Sequence, residues 1–279
     1  MHIGIVNRFH EMISPAYPLG DALQELGAEV TRLDIRDLWL NQEQQIVHQD
    51  KLFQSDVLLW RITDDFWQSA FHFLRAAEKN GALAINNPES IQLCIDKWST
   101  YARLQDYNIP VAPTSFIPHN GLLQQSAIAE VSKPLDGCCG HQVRRLEVGS
   151  QERLKDSPSL AQPYLGDDIN FARILLVNGK FIGSYKRLAA KGKLANNFDS
   201  GGKIIFWKPT DKALEIAIKA SRACGVVFGA VDLVNYQGRW QVVEINAASP
   251  GYGGLALISG GEAHKTIAKQ LIDYIVKNI

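Results

Sequence analysis

Four short apolar runs, separated by stretches of helical pattern, restrict the first ninety residues more than any other feature of the chain. HIGIV (2–6), 29–33, DVLLW (56–60) and 82–85 read as strands. Between them, 18–27 reads as a helix, because Leu19, Ala22, Leu23 and Leu26 recur at helical spacing and Gly27 stops it. A second helix, 66–79, ends at Asn80-Gly81. Apolar runs this short, alternating with helices, fit strands buried on both faces, and hence a small open parallel sheet. No G-x-G-x-x-G follows the first strand; Asn7-Arg8-Phe9-His10 stands there instead. No G-x-x-x-x-G-K-[ST] occurs anywhere. A dinucleotide-binding domain and a P-loop NTPase are therefore not expected.

From about Ile95 the pattern changes. A helix over 96–107 stops before Asn108-Ile109-Pro110, and strands rich in charge and glycine follow. ARILLVNGKFIGSYKR (172–187) reads as a hairpin, since Asn178-Gly179 joins two β-rich runs. An amphipathic helix over 211–224 precedes a second hairpin, 226–234 with 239–246, turning at Gln237-Gly238; a helix over 263–277 closes the pattern.

Composition narrows the functional classes. With 279 residues, roughly two domains at about 150 residues each are expected. Lys+Arg and Asp+Glu are both 29, so the net charge is +0, which argues against a nucleic-acid partner. No apolar run approaches the roughly 18 residues of a membrane span, and the N-terminus lacks the pattern of a secretory signal. A cytoplasmic location without membrane association is expected. Cys94, Cys138, Cys139 and Cys224 form no C-x-x-C and no zinc spacing, and read as reduced thiols, two or more of them buried.

Three places can carry chemistry. In the last hairpin Asp232 sits late in one strand, while Glu244 and Asn246 end the next, two residues apart and so on one face. Their neighbours are apolar, and carboxylates on otherwise buried strands need partners. Three converging oxygen ligands suit a hard cation such as magnesium; a salt-bridged carboxylate pair explains them equally. In VSKPLDGCCGHQV (131–143), Gly137 and Gly140 allow a tight loop whose N–H groups approach phosphate, with Lys133 adding charge; a surface hairpin is the alternative. The hairpin 172–187 carries Arg173, Lys186 and Arg187, and Asn197 and Gly201-Gly202 follow it. Cations beside a carboxylate–metal site suit phosphoryl transfer, and solvated surface charge is the alternative reading.

Taken in order, these features resemble the RimK-like amino-acid ligases of the ATP-grasp superfamily. NNPESIQLCIDKW (86–98) with IPVAPTSF (109–116), VSKP (131–134), ARILLVNGKFIGSYKR…NNFDSGG (172–202) and VDLV…VVEINAASPG (231–251) carry the resemblance, which covers nearly the whole chain. It implies an α/β fold: an N-terminal parallel βαβ domain over 1–95, a small lid over 96–165, and an antiparallel-sheet catalytic core with helices over 166–279. It implies an ATP-dependent carboxylate–amine ligase, forming an amide through an acyl phosphate and adding glutamate or a similar amino acid to an unknown amine acceptor. A catalytically impaired nucleotide-binding scaffold is the alternative. Two magnesium ions, replaceable by manganese, and a homo-oligomer (dimer or tetramer) are implied as well.

Carried onto this sequence, the resemblance assigns Lys97 and Lys133 to ATP phosphate and adenine, and Asp232, Glu244 and Asn246 to magnesium. Arg173 would stabilise the acyl phosphate, and Lys186, Arg187 and Asn197 would face the phosphate or the acid substrate. Segment 136–142, with Gly137 and Gly140, would close over the phosphates. Gln162, Tyr164 and Leu165 would form the hinge that reads adenine.

The chain departs from the family pattern at several points. Pro163 replaces a hinge residue able to donate a backbone hydrogen bond. Phe171 stands where an acid would bind ribose, with Asp167 or Asp168 as substitutes. The segment 119–160 is short. Leu188 and Ala195 replace arginines expected of an enzyme acting on a ribosomal protein.

Overall fold

A computed structural model of the chain describes residues 1–9, 16–62, 67–122, 127–137, 142–149, 157–166, 171–188 and 203–279. Its first layer is a four-stranded parallel sheet, ordered β2-β1-β6-β7, from β1 (His2–Asn7), β2 (Glu29–Asp34), β6 (Val57–Trp60) and β7 (Leu83–Ile85). All four residues of β6 are buried, as its unbroken apolar run predicts. Helix α1 (Ala16–Glu25) turns Leu19, Ala22 and Leu23 inward and leaves Leu26 exposed beyond its end. Gly27, at φ 85°, then supplies the left-handed residue that ends it. Helix α2 (Trp67–Lys79) lies near the expected place. A small antiparallel sheet of β3 (Leu38–Leu40), β4 (Ile46–His48) and β5 (Lys51–Leu52) fills a stretch for which the sequence offered no element.

Helices α3 (Pro88–Ile95) and α4 (Lys97–Asp106) follow. Asn87 and Asp96 cap them, accepting from the Ser90 and Ser99 N–H groups at 2.7 and 2.8 Å. A second sheet, ordered β10-β9-β11-β8, is antiparallel and holds β8 (Ser115–Ile117), β9 (Glu130–Pro134), β10 (Arg144–Leu146) and β11 (Ser159–Pro163). Its own small core is Ile117, Leu146 and Ala161.

The third sheet is the largest: β14 (Lys203–Phe206), β13 (Lys180–Leu188), β12 (Phe171–Val177), β15 (Phe228–Tyr236) and β16 (Arg239–Asn246), in that order and antiparallel throughout. Both expected hairpins form. Asn178 and Gly179 have φ 50° and 70°, and Gln237 and Gly238 have φ 50° and 76°, the paired positive values of a tight hairpin turn. One face packs on α5 (Asp211–Ala223) through Ile174, Leu176, Val231 and Leu233. The other packs on α6 (Gly253–Ser259) and α7 (Glu262–Ile275) through Leu175, Val177, Phe228 and Ala230. Both apolar clusters continue into the parallel sheet, so two layers of core run through both halves. Among the described residues no helix is long and apolar enough to cross a membrane.

Asn86, just past β7, joins the halves. Its amide nitrogen donates to the Phe228 and Ala247 carbonyls at 2.7 and 2.6 Å, and its oxygen accepts from Val227 and Phe228 N–H, both at 2.8 Å.

Candidate active site

The register of the core sheet gathers the site. Arg173 on β12 lies opposite Tyr185 on β13 and Asp232 on β15, and Asp232 lies opposite Glu244 on β16. Directly opposed residues share a face, so Tyr185, Arg173, Asp232 and Glu244 form one row across four strands. Arg187, two residues beyond Tyr185, joins them, and so does Asn246, two residues beyond Glu244.

Asp232 is almost fully buried, at 1% exposed, and two guanidiniums hold it. Arg173 grips it with both prongs, Nε to Oδ1 and Nη2 to Oδ2, each at 2.6 Å. Arg187 Nη2 reaches the same Oδ2 at 2.5 Å. Burial alone would raise the Asp232 carboxyl, but the two arginines outweigh it and hold it below the usual carboxylate range. Burial works against the charge on Arg173 as well, and Asp232 more than reverses it, raising that guanidinium.

The second sheet presents Lys133 to this row. Lys133 on β9 donates to Gln162 Oε1 at 2.9 Å, and Gln162 Nε2 donates to Thr114 Oγ1 at 2.9 Å. Burial lowers Lys133, while Glu244 and Asp232 raise it and Lys97 lowers it further. Glu244 and Asp232 of the row are thus near enough to act on the Lys133 charge, as is Lys97. Lys97, at the start of α4, donates its Nζ to the carbonyls of Leu135, at 3.3 Å, and Gly137. Gly137 is sterically required there, because a Cβ would lie 2.4 Å from Pro134 Cγ.

Three of the expected site residues take partners within the protein. Lys186 does not join the row. It follows Tyr185 on an extended strand, so it faces the α5 side, where its Nζ lies 5.7 Å from the Trp207 ring centroid. The pair Lys186-Arg187 therefore gives the site one cation and not two. The Tyr164 N–H, expected at adenine, donates to the Ala129 carbonyl at 2.8 Å, and Arg145 covers the ring at 4.3 Å. Gln162 sits inside β11 and positions Lys133 through its side chain. Leu165 follows β11 and is half-buried. Asn197, Gly140, Asp167, Asp168 and Ala195 lie outside the described residues.

Of the two readings for the strand-end carboxylates, the ion pair is what Asp232 forms here. A magnesium ion also fits the donors. Asp232, Glu244 and Asn246 supply two carboxylates and an amide on one face, all hard oxygen donors. The Asn246 amide nitrogen is buried with no partner among the described residues, so the fold alone does not secure that side chain. No group of three His, Cys, Asp or Glu is gathered among the described residues, and the amide is thus needed to complete the set.

The loop after β16 backs the site, held by Arg173 and by side chains absent from the sequence reading. Arg173 Nη1 donates to the Pro250 carbonyl at 3.2 Å, and the Tyr185 hydroxyl to that of Gly251 at 2.9 Å. Gly251 has φ 63°, and a Cβ there would meet Arg173 Nη1 at 2.4 Å. From the parallel sheet, Arg61 Nη1 donates to the Ala248 carbonyl at 3.2 Å. Only contacts across more than 140 residues of chain reveal Arg61 and Asn86. Tyr185 could have been found by counting strand alternation from Arg187.

Comparison with known proteins agrees with this architecture. The model of the RimK-like ATP-grasp domain matches residues 133–275. A probable alpha-L-glutamate ligase of Haemophilus influenzae is 27% identical over 93% of this chain and 92% of its own length. One from Mannheimia succiniciproducens is 30% identical over 70% of this chain and 68% of its own length. Among solved structures, the ATP-grasp ligase PsnB, complexed with a phosphomimetic variant of its minimal precursor, Mg and ADP, superposes with a TM-score of 0.71. It is 16% identical, and 97% of each chain is covered.

Proposed function

Since the chain belongs to the RimK-like ATP-grasp family, whose members are ATP-dependent carbon–nitrogen ligases, we propose that it joins the carboxylate of a small amino acid to an amine through an acyl phosphate. The observation that carries this reading is the charged row itself: Glu244 beside Asp232, clamped by Arg173 and Arg187, with Lys133 facing them from the second sheet.

In this reading the γ-phosphoryl group of ATP passes to a substrate oxygen. The amine then attacks the acyl carbon, the C–N bond forms, and phosphate leaves. No side chain acts as a nucleophile; the protein positions the reactants and offsets charge. Lys133, held by Gln162, would lie against the phosphates, and Lys97 would tie the segment after β9 to α4. Arg173 and Arg187 would oppose the charge on the transferring group from a frame fixed by Asp232. Asp232, Glu244 and Asn246 would hold magnesium, which when bound neutralises phosphate oxygens. Residues 1–95, 96–165 and 166–279 would serve as substrate-side domain, lid and catalytic core.

Glutamate is the proposed acid, on the strength of the relatives' names; the amine acceptor is a small molecule or a peptide terminus. The test is incubation with ATP, magnesium and pooled amino acids, read by phosphate release and by mass spectrometry of the product. Phosphate release stimulated by amino acids, with a product of summed mass less water, supports the reading. Neither signal at any amino acid refutes it.

A further inference from the structure

Two cysteines far apart in the chain meet inside the fold. Cys94 lies in the last turn of α3, and Cys224 caps the C-terminal end of α5. Both are buried and neither is in a disulfide. Ser90, one turn before Cys94 and on the same side of α3, brings them together. Its Oγ donates to the carbonyl of Gly225, the residue after Cys224, at 2.9 Å. Gly225 has φ 66°, and a Cβ there would meet Ser90 Oγ at 2.7 Å, so glycine is what lets the end of α5 approach α3. In this place the Cys94 thiol hydrogen-bonds the Cys224 sulfur.

The surroundings of the two sulfurs differ. Cys224 lines an open polar cleft of about 470 Å³, with Asn87, Ser90, Asp96, Ser99 and Arg103, which is ample for a small peroxide. Cys94 does not line that cleft; it belongs to the apolar cluster that holds Val242 and Ile245. The carbonyl end of a helix disfavours a thiolate, but Arg103 is placed against that effect, its Nη1 donating to the Ala223 carbonyl at 3.3 Å. The hydrogen bond from Cys94, and after it Arg103, hold the Cys224 thiol below its ordinary value against burial. Giving that hydrogen bond, and burial, push the Cys94 thiol up. A reachable thiol with thiolate character beside a second, protonated thiol is the arrangement of a cysteine pair that oxidises to a disulfide.

We propose that Cys224 and Cys94 are an oxidation site for hydroperoxides, with Cys224 attacking the peroxide and Cys94 resolving it into a disulfide that ties α3 to α5. The Cys224 thiolate attacks one peroxide oxygen, the O–O bond breaks, and hydroxide leaves, giving a sulfenic acid. The Cys94 sulfur then attacks Cys224, the S–S bond forms, and the hydroxyl leaves with the Cys94 proton as water. The two sulfurs lose two electrons and the peroxide oxygens gain them. A dithiol reductant reverses the change.

The bond acts on the neighbouring helix. Thr100 Oγ1 in α4 donates to the Leu93 carbonyl at 2.7 Å, and Asp96 caps the helix that Lys97 opens. The end of α3 and the first turn of α4 thus move as one piece. Drawing Cys94 toward α5 shifts Lys97 against the Leu135 and Gly137 carbonyls that it holds. Weaker ATP binding by the disulfide form follows, a consequence that rests on the ligase reading above for the place of Lys97.

The first measurement exposes the reduced full chain to hydrogen peroxide, blocks remaining thiols with N-ethylmaleimide and maps tryptic peptides by mass. Peptides 80–97 and 223–239, which carry Cys94 and Cys224, are expected joined and two hydrogens lighter than their sum. In urea the yield of that pair should fall at least 5-fold, as pairings with Cys138 and Cys139 compete. In Cys94→Ala, dimedone should trap a sulfenic acid on Cys224. Both peptides recovered as maleimide adducts, a yield unchanged by urea, or dimedone found on Cys94 in Cys224→Ala and not on Cys224 in Cys94→Ala, overturns the proposal. The wild-type map does not depend on either variant folding.

The second measurement titrates ATP with magnesium into reduced, oxidised and dithiothreitol-treated protein. The Kd is expected to rise at least 5-fold on oxidation and to return on reduction, while peroxide leaves that of Cys94→Ala unchanged. An equal Kd in all three forms, or an equal rise in Cys94→Ala, overturns the link to Lys97. No ATP binding by the reduced chain sinks the ligase reading, and the peptide map still decides the oxidation site.

Discussion

Lys186 and Arg187 are neighbours in sequence and lie on opposite faces of the core sheet. Arg187 reaches Asp232 at 2.5 Å, while Lys186 lies over the Trp207 ring at 5.7 Å. Alanine at the two positions should therefore give unlike results. Arg187→Ala removes a guanidinium from a buried carboxylate and is expected to lower phosphate release at least 100-fold. Lys186→Ala removes a partly exposed cation–π contact, worth about 0.5–1 kcal/mol, and is expected to leave turnover within about 3-fold of wild type. Steady-state rates of both variants decide it; equal losses would mean that the two faces do not divide the work.

Glu244 faces Asp232 across β15 and β16 and is only half-buried, so its charge serves something other than the packing. Glutamine keeps the shape and removes the charge. Glu244→Gln is expected to cut turnover at least 100-fold and to leave the melting temperature within about 2 °C. Wild-type phosphate release from this variant would remove Glu244 from the proposed magnesium set.

Lys133 carries a pH signature. Burial lowers it from the ordinary lysine value of 10.5, so in the folded protein it releases its proton sooner than in the unfolded chain. The sign follows: holding the charge costs stability near neutrality, and that cost fades as pH rises through the lowered value. Phosphate needs the charged form. ATP affinity, measured by equilibrium titration from pH 7 to 10, is expected to decline before the ordinary lysine range is reached. Lys133→Met should start weak, at least 10-fold below wild type, and show no such decline.

Asn86 makes four hydrogen bonds to the backbone of the core half. Asn86→Ala would leave those buried backbone groups without partners, at a cost of about 3 kcal/mol. Urea unfolding should show that loss. If the midpoint does not move, other contacts hold the halves together.

Much of the fold could be read before the structure, for identifiable reasons. The parallel strands are unbroken apolar runs, and both hairpin turns end in glycine. The β3–β5 sheet was not legible, because its strands are two or three residues long and lie among polar residues. Its turns at Gln44, Gln49 and Asp50 take positive φ without glycine. Within the site, Asp232 and Glu244 stood out as acids in apolar strands. Lys186 and Arg187 are adjacent at the strand end, and the two-residue period of a strand puts them on opposite faces. Arg61 and Asn86 follow ordinary strands, and nothing local marks them; their partners at Ala248 and Phe228 come from the far end of the chain.

The loop 247–251 is gripped from two sides, by Asn86 and Arg61 and by Arg173 and Tyr185. For anyone recombining relatives of this chain, that makes the first ninety residues and those from β12 onward a single inheritable unit. A chimera that takes its parallel sheet from one parent and this loop from another would inherit two halves of a lock cut for different keys. Crossovers that leave both ends with one parent and exchange only the β8–β11 sheet keep every one of these bonds.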